Sequence, residues 1–450
     1  MYDIIIIGSG PAGYVAAIRA GQTGLKTAII EKESIGGMCL NWGCIPSKAM
    51  LESLKLYSRV IKEASRFGID GIDPKQVSFN WNKAIKRSDG IVKKMTSGIE
   101  YLLKKSDVEI IKGEARIVSN NSINVDNRLL QTKTIIIAIG THYKELKLQS
   151  NIEVIDPKEL YKEREIPQNV VVVGNSPVTI EIAQALKIMG KEVAILSPND
   201  VIMPKADNYI RDFMIQKLKK DRIKLYLNTD IESISKSYAN GVFTVEDREV
   251  PCQLIINTSD RVANTILSDI DIEYKNGYIS TDPNYMTSQK GVYAIGDVNG
   301  VSMYAHVASA QGLYVINKLN GIDQKLDLAK IPMNMYTIPE AAQIGYTQEQ
   351  LNDMGQDFKV SEFPISANGK AQTEGNAEGF VRILSEKKYG EVLGVQIIAP
   401  NATDMINEAS AYMQLESTIY DIAGTIHTHP TISEVFMEAG FEAVDRAIHK

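Results

Sequence analysis

The residues able to do chemistry in this chain are few and concentrated. Two of its three cysteines, Cys39 and Cys44, lie in the run Gly36-Gly37-Met38-Cys39-Leu40-Asn41-Trp42-Gly43-Cys44-Ile45-Pro46-Ser47-Lys48, and Cys252 is far away. A close cysteine pair in a cysteine-poor chain suits metal binding or reversible oxidation rather than a secreted disulfide framework. The five histidines (His142, His306, His427, His429 and His449) lack zinc-like spacing to the pair, so no metal is expected and the redox reading leads. After the pair, Met50, Leu54, Tyr57 and Ile61 recur at the spacing of one helix face. Pro46 suits that helix's first turn, where a missing N–H costs nothing. Cys44 therefore falls at a helix N-terminus, where the dipole and free N–H groups favour a thiolate.

The elements that must position these cysteines begin at residue 4. A strand, Ile4 to Ile7, runs into Gly8-Ser9-Gly10-Pro11-Ala12-Gly13, a helix follows through Ala20, and a second strand ends at Glu31. This is a dinucleotide fingerprint: Gly8 turns, Gly10 admits the pyrophosphate, Gly13 packs helix on strand, and Glu31 accepts ribose hydroxyls. The architecture recurs at Val170 to Gly174, with a helix over about 178–189 and a strand from Glu192 to Leu196. One constant offset maps Gly8 onto Gly174, Gly10 onto Ser176, Gly13 onto Thr179 and Glu31 onto Ser197, so the frame repeats while its chemistry does not. Further buried strands are expected at 135–140 and 291–297, and an α+β pattern of short strands and helices from about 331 onward.

Length and charge fit that layout. At roughly 150 residues per domain, 450 residues suggest about three domains. A hydrophobic content of 44% is enough for large cores, which excludes wholesale disorder. The net charge of −6 gives no footprint for a nucleic-acid binder. No apolar run reaches the ~20 residues of a membrane span, and no basic leader precedes residue 4, so a cytoplasmic, membrane-free protein is expected.

The cysteine run closely resembles that of the class I flavoprotein pyridine nucleotide-disulfide oxidoreductases, the dihydrolipoamide dehydrogenase group in particular. The shared pattern is G-G-x-C-L-N-x-G-C-I-P-S-K. The resemblance implies an α/β chain with an FAD-binding Rossmann-like domain at 1–147 and 269–330, an NAD-type Rossmann-like domain at 148–268, and a C-terminal α+β dimerisation domain at 331–450. It implies that Cys44 touches the flavin, that Cys39 meets substrate, and that Lys48 sits by the flavin with Glu181 as its partner. Ala115 in Gly-Glu-Ala, Gly140 in Ala138-Ile139-Gly140 (usually A-T-G), Asp297 in Ala-Ile-Gly-Asp and Ala305 in Tyr-Ala-His match the family's FAD contacts. The run His427-Thr428-His429-Pro430-Thr431-Ile432-Ser433-Glu434 matches its acid–base motif. By that match His429 takes the proton from the attacking thiol and Glu434 fixes its tautomer. Since the third domain pairs two subunits in this family, a homodimer is implied, with His429 serving the other chain's disulfide.

One subsite departs from the pattern. The nicotinamide-nucleotide motif G-G-G-x-x-G-x-E is here Gly174-Asn175-Ser176-Pro177-Val178-Thr179-Ile180-Glu181, the ribose acid is Ser197, and the glycine of G-R-x-P-N is Asp260. The implied activity is electron transfer from a dihydrolipoyl-type dithiol, free or protein-borne, through Cys39–Cys44 to FAD, with the NAD(H) site weakened or lost. The alternatives are the same redox core serving a protein electron carrier or another disulfide substrate, and a non-catalytic subunit of a multienzyme complex.

Overall fold

Four consecutive isoleucines set the centre of the first sheet. Alternation sends Ile4 and Ile6 to one face, with Ile29 and Ile136, and Ile5 and Ile7 to the other, with Ile30, Ile135 and Ile137. Both faces are covered, which is why the strand reads as an unbroken apolar run. The computed structural model describes residues 1–239 and 241–450. It divides into two units: Met1–Lys147 with Val154–Ile166 and Ser259–Leu326, and Leu148–Glu153 with Pro167–Thr258 and Asp327–Lys450.

In the first unit, Tyr2–Ile7 pairs in parallel with Thr27–Glu31 and with Arg128–Ile137. Glu109–Lys112 and Val292–Ala294 extend that parallel core, and Ser122–Val125 and Ala115–Ser119 fold back from it as antiparallel strands. The strand expected at 135–140 starts at Arg128, because its first half is an exposed hairpin arm whose polar residues hide it in the sequence. The strand expected at 291–297 stops at Ala294, where Gly296 at φ +75° opens a short 3-10 turn, Gly296–Asn299. Helix Trp81–Lys105 was not expected from sequence at all. Asn80 caps it by accepting from the Lys83 N–H, and Trp81, Ala84, Ile85, Ser88, Ile99 and Leu103 form its buried stripe.

In the second unit, Asn169–Val173 lies between Glu192–Leu196 and Leu254–Asn257, with Lys224–Tyr226 beyond, all parallel. A five-stranded antiparallel sheet follows in the order Met333–Met335, Glu340–Gly345, Val392–Ala399, Phe380–Glu386, Phe358–Pro364. Its apolar face, with Val381, Ile383, Val395 and Ile397, packs against helices Ala402–Gln414 and Glu434–Val444 through Ile406, Val435 and Phe436. Among the described residues no helix is long and apolar enough to cross a membrane.

Candidate active site

The cysteine run is stapled to the glycine loop. The Gly36 N–H donates to the Ser9 carbonyl at 3.0 Å, and Gly37, at φ +58°, lies so close that a Cβ there would come 2.8 Å from the Gly10 Cα. Only glycine tolerates both that conformation and that approach. A short helix, Gly37–Asn41, carries Cys39, and the Asn41 amide donates back to the Ile35 and Gly37 carbonyls. Gly43 then breaks the chain direction, and Cys44 opens helix Cys44–Lys62, with Pro46 in its first turn as expected.

Both cysteines are half-buried free thiols in hydrogen-bond contact. That bond is the main reason the Cys44 thiol is lowered to about 7. Burial opposes the shift, and the positive charges of Lys48 and Arg261 assist it. The Cys39 thiol moves the other way, because it donates to its neighbour and is itself buried. One sulfur is thus set up as a thiolate and the other as its hydrogen-bond donor.

Arg261 is the residue that sequence reasoning missed here. Strand Arg261–Ala263 pairs antiparallel with Thr141–Tyr143. From it the guanidinium reaches the Asp297 carboxylate at 2.8 Å, the Met303 carbonyl at 3.0 Å and the Met38 sulfur at 3.6 Å. Burial raises the Asp297 carboxyl and the arginine opposes it. Asp260, its neighbour, is exposed. The sequence marked this segment only for its missing glycine, and nothing local says where a long side chain ends.

The same unit offers a fit for a dinucleotide. Glu31 accepts from the Ser9 N–H at 2.9 Å and hydroxyl at 2.6 Å, and from the Glu33 N–H at 2.7 Å. Helices Pro11–Gln22 and Ala305–Leu319 begin without a side-chain cap, whereas Asn80, Ser176, Asp207 and Thr347 cap theirs. Free N–H groups at an uncapped helix start suit an anion. A Cβ at Gly10 would meet nothing, so the approach to the first of these is open, while Gly13 is held tight against the Gly8 carbonyl. Ala115 heads its buried strand, and Gly140, at φ +68°, accepts from the Asn264 N–H.

The repeated frame in the second unit is closed by its own side chains. Ser176 and Thr179 form a capping box over the start of helix Pro177–Ile188: each side-chain oxygen accepts from the other's N–H, at 3.4 and 3.1 Å. The Thr179 hydroxyl also bonds the Thr258 hydroxyl at 2.8 Å, and both crowd Gly174. Ser197 is fully buried, its hydroxyl engaged with the backbone of Asn199. Glu181, further along the helix, is buried and accepts from the Tyr336 N–H at 2.9 Å.

The histidine run lies just before helix Glu434–Val444. His429 Nδ1 bonds Glu434 Oε1 at 2.9 Å, and the other carboxylate oxygen accepts from the Thr431 N–H at 2.8 Å. Burial works against the Glu434 carboxylate, but the Thr431 N–H and His429 hold it below the usual range. With Nδ1 donating, Nε2 is the free acceptor, and the ring is 80% exposed. His427, which sequence reasoning left without a role, bonds Glu408 at 2.7 Å, and that bond raises it.

The chain is similar to known proteins over its whole length. The model of a family described as pyridine nucleotide-disulphide oxidoreductase matches residues 2–312, and that of its dimerisation domain matches 331–440. The chain is 35% identical to a dihydrolipoyl dehydrogenase of Bacillus subtilis, covering 100% of this chain and 99% of that one. It is 36% identical to leghemoglobin reductase of Glycine max, covering 99% and 88%. Among solved structures, LpdA from Mycobacterium tuberculosis shares the fold with a TM-score of 0.88 at 23% identity, over 98% and 99% of the two chains.

Proposed function

Because the chain belongs to the pyridine nucleotide-disulphide oxidoreductase family, whose members are FAD-dependent enzymes, we propose that it oxidises a dihydrolipoyl-type dithiol. The observation that carries this reading is the cysteine pair, with Cys44 lowered to about 7 and Cys39 as its donor. In the oxidised pair, one substrate thiolate attacks the Cys39 sulfur and Cys44 leaves as a thiolate. The second substrate thiolate then attacks the sulfur bonded to Cys39, closing the substrate disulfide and releasing the Cys39 thiol. Two electrons have moved to the pair. His429 of the partner subunit, held by Glu434, receives the proton at Nε2. FAD would be held by Gly8, Gly10, Gly13, Glu31, Ala115, Gly140, Asp297 and Ala305 and would supply the two-electron acceptor. Lys48, whose charge helps lower the Cys44 thiol, would position that end of the site.

The second unit is proposed as a scaffold whose NAD(H) site is weakened. The support is the capping box, which occupies the N–H groups of Ser176 and Thr179, together with a buried hydroxyl at Ser197 where a ribose carboxylate is needed. This favours a protein electron carrier as acceptor, in a cytoplasmic homodimer. The test is anaerobic reductive titration of the purified FAD protein. An active pair takes up four electrons per flavin, counting flavin and disulfide. Uptake of two overturns the reading in favour of a non-catalytic subunit.

A further inference from the structure

The redox loop carries a second kind of sulfur. Met38 stands directly before Cys39 on the short helix Gly37–Asn41, and it is half-buried. Its carbonyl accepts from the Trp42 N–H at 3.0 Å, so the backbone there is held. Its side chain runs along Gly43, where a Cβ would come 3.3 Å from the Met38 Cγ. That places the thioether against the residue that immediately precedes Cys44. The next two side chains, Cys39 and Leu40, join the core on one face of the first sheet. The Met38 sulfur instead meets the Arg261 guanidinium, 3.6 Å from Nη1. The same nitrogen donates to the Asp297 carboxylate at 2.8 Å, and Nη2 donates to the Met303 carbonyl at 3.0 Å. A methionine that merely fills a gap sets its sulfur among apolar atoms or aromatic rings. This one faces a charged donor, for which a thioether is a poor acceptor.

We propose that Met38 is a site of reversible oxidation and that Arg261 reads the resulting sulfoxide. The oxidant is a hydroperoxide. One of its oxygens adds to a sulfur lone pair: the O–O bond breaks, an S–O bond forms, the sulfur gives up two electrons, and the remainder leaves as water or an alcohol. The added oxygen is a strong acceptor where the sulfur was a weak one, and it competes with Asp297 for the Nη1 donor. The consequence falls on Cys44. That thiol is faced by Cys39 and Lys48 from its own run, by Tyr14 from helix Pro11–Gln22, and by Arg261. A sulfoxide engages part of the arginine's charge and brings the negative end of a dipole towards the thiol. Both effects disfavour the thiolate. Oxidant thereby turns down the thiol without modifying either cysteine, whose disulfide form is already oxidised. Two thiol equivalents, delivered through a sulfoxide reductase, return the thioether and release water. None of these steps involves the substrate dithiol.

The test starts from the FAD-loaded disulfide form, treated with hydrogen peroxide and then digested for peptide masses. Exposed Met354 and Met95 mark the dose, and buried Met50 and Met214 mark general damage. Met38 should gain one oxygen at doses that leave Met50 and Met214 unchanged. No oxygen on Met38 once Met354 and Met95 are fully converted overturns the proposal. The treated protein is next reduced with dithiothreitol, and alkylation of Cys44 is followed against pH. The titration should move upward, slowing alkylation at pH 7 by about twofold. Methionine sulfoxide reductase should restore the original profile, and Met38→Leu should be indifferent to peroxide. Met38→Gln, which sets a permanent carbonyl acceptor beside Arg261, should show the upward shift without oxidant. A Met38 sulfoxide that leaves the titration where it was overturns the reading by Arg261. If Met38→Leu loses its flavin, the reductase arm makes the same comparison in the unaltered chain.

Discussion

Arg261 donates to the Asp297 carboxylate at 2.8 Å, and the same guanidinium helps lower the Cys44 thiol. One cation therefore serves two acids of opposite tendency: a carboxyl that burial pushes up and a thiol held down. Replacing it with Met should move the Cys44 titration upward, by less than loss of the Cys39 thiol does, because that thiol is the largest lowering cause and the arginine the smallest of them. Alkylation rate against pH, measured on the reduced protein, reads the shift directly. An unmoved titration would place the arginine's role wholly with Asp297.

The thiol pair itself predicts a pH dependence. In the reduced protein, alkylation of Cys44 should rise through about pH 7 rather than near its ordinary value of 9.0. The Cys39→Ala variant removes the largest lowering contribution and should shift that rise upward. The sign for stability follows from linkage. A group lowered in the folded state adds stability that is complete above its unfolded value and disappears as pH falls through the folded one. The reduced chain should therefore gain stability between about pH 7 and 9, with the gain absent in Cys44→Ala. Chemical denaturation at the two pH values is the check.

His429→Ala should retain flavin and slow dithiol oxidation by ~10²-fold or more, the usual contribution of a placed acid–base. Glu434→Gln keeps a hydrogen-bond acceptor but loses the charge, so about a tenfold loss is expected, weighted toward kcat. Heterodimers combining His429→Ala with Cys44→Ser subunits should recover part of the activity. No recovery in verified heterodimers would show that each site is built from one chain.

The closed second frame predicts a gain of function. Converting Ser176 and Thr179 to Gly and Ser197 to Glu opens the helix start and restores a ribose acceptor. NADH affinity should improve by at least ~10-fold, since a charge-assisted hydrogen bond is worth about 1.5–3 kcal/mol. Gly at the cap position should cost only a few tenths of a kcal/mol and Gly within the helix a few tenths more, so the Tm should fall slightly. Ordinary micromolar NADH use by the unaltered protein would contradict the weakened site.

Different parts of the molecule were legible in the sequence to different degrees, for physical reasons. The cofactor loop, the cysteine run and the helix starting at Cys44 are local: turn geometry and helix period write themselves into adjacent residues. The hairpin arm at Arg128 and helix Trp81–Lys105 were not read. The first mixes charges into an exposed strand, and the second carries a polar Ser88 in its buried stripe and two poor helix formers, Gly90 and Gly98, along its length. Arg261 escaped because its role depends on what meets its tip, Asp297 and Met38, which sit 36 residues after and 223 before it. The substitutions at 176 and 179 were visible as missing glycines. That they cap one another is a three-dimensional fact.

The staple between Gly36 and Ser9 ties the thiol loop to the loop that faces the cofactor. Neither can swing out without breaking the other's hydrogen bonds, so the two should open as one cooperative unit. Backbone amides of residues 8–13 and 36–43 should then exchange with solvent deuterium at a common rate. Flavin binding at the first loop should slow both by the same factor. A single-residue lesion such as Gly37→Ala, at a position with no side chain in the chemistry, should appear first as flavin leakage and protease nicking.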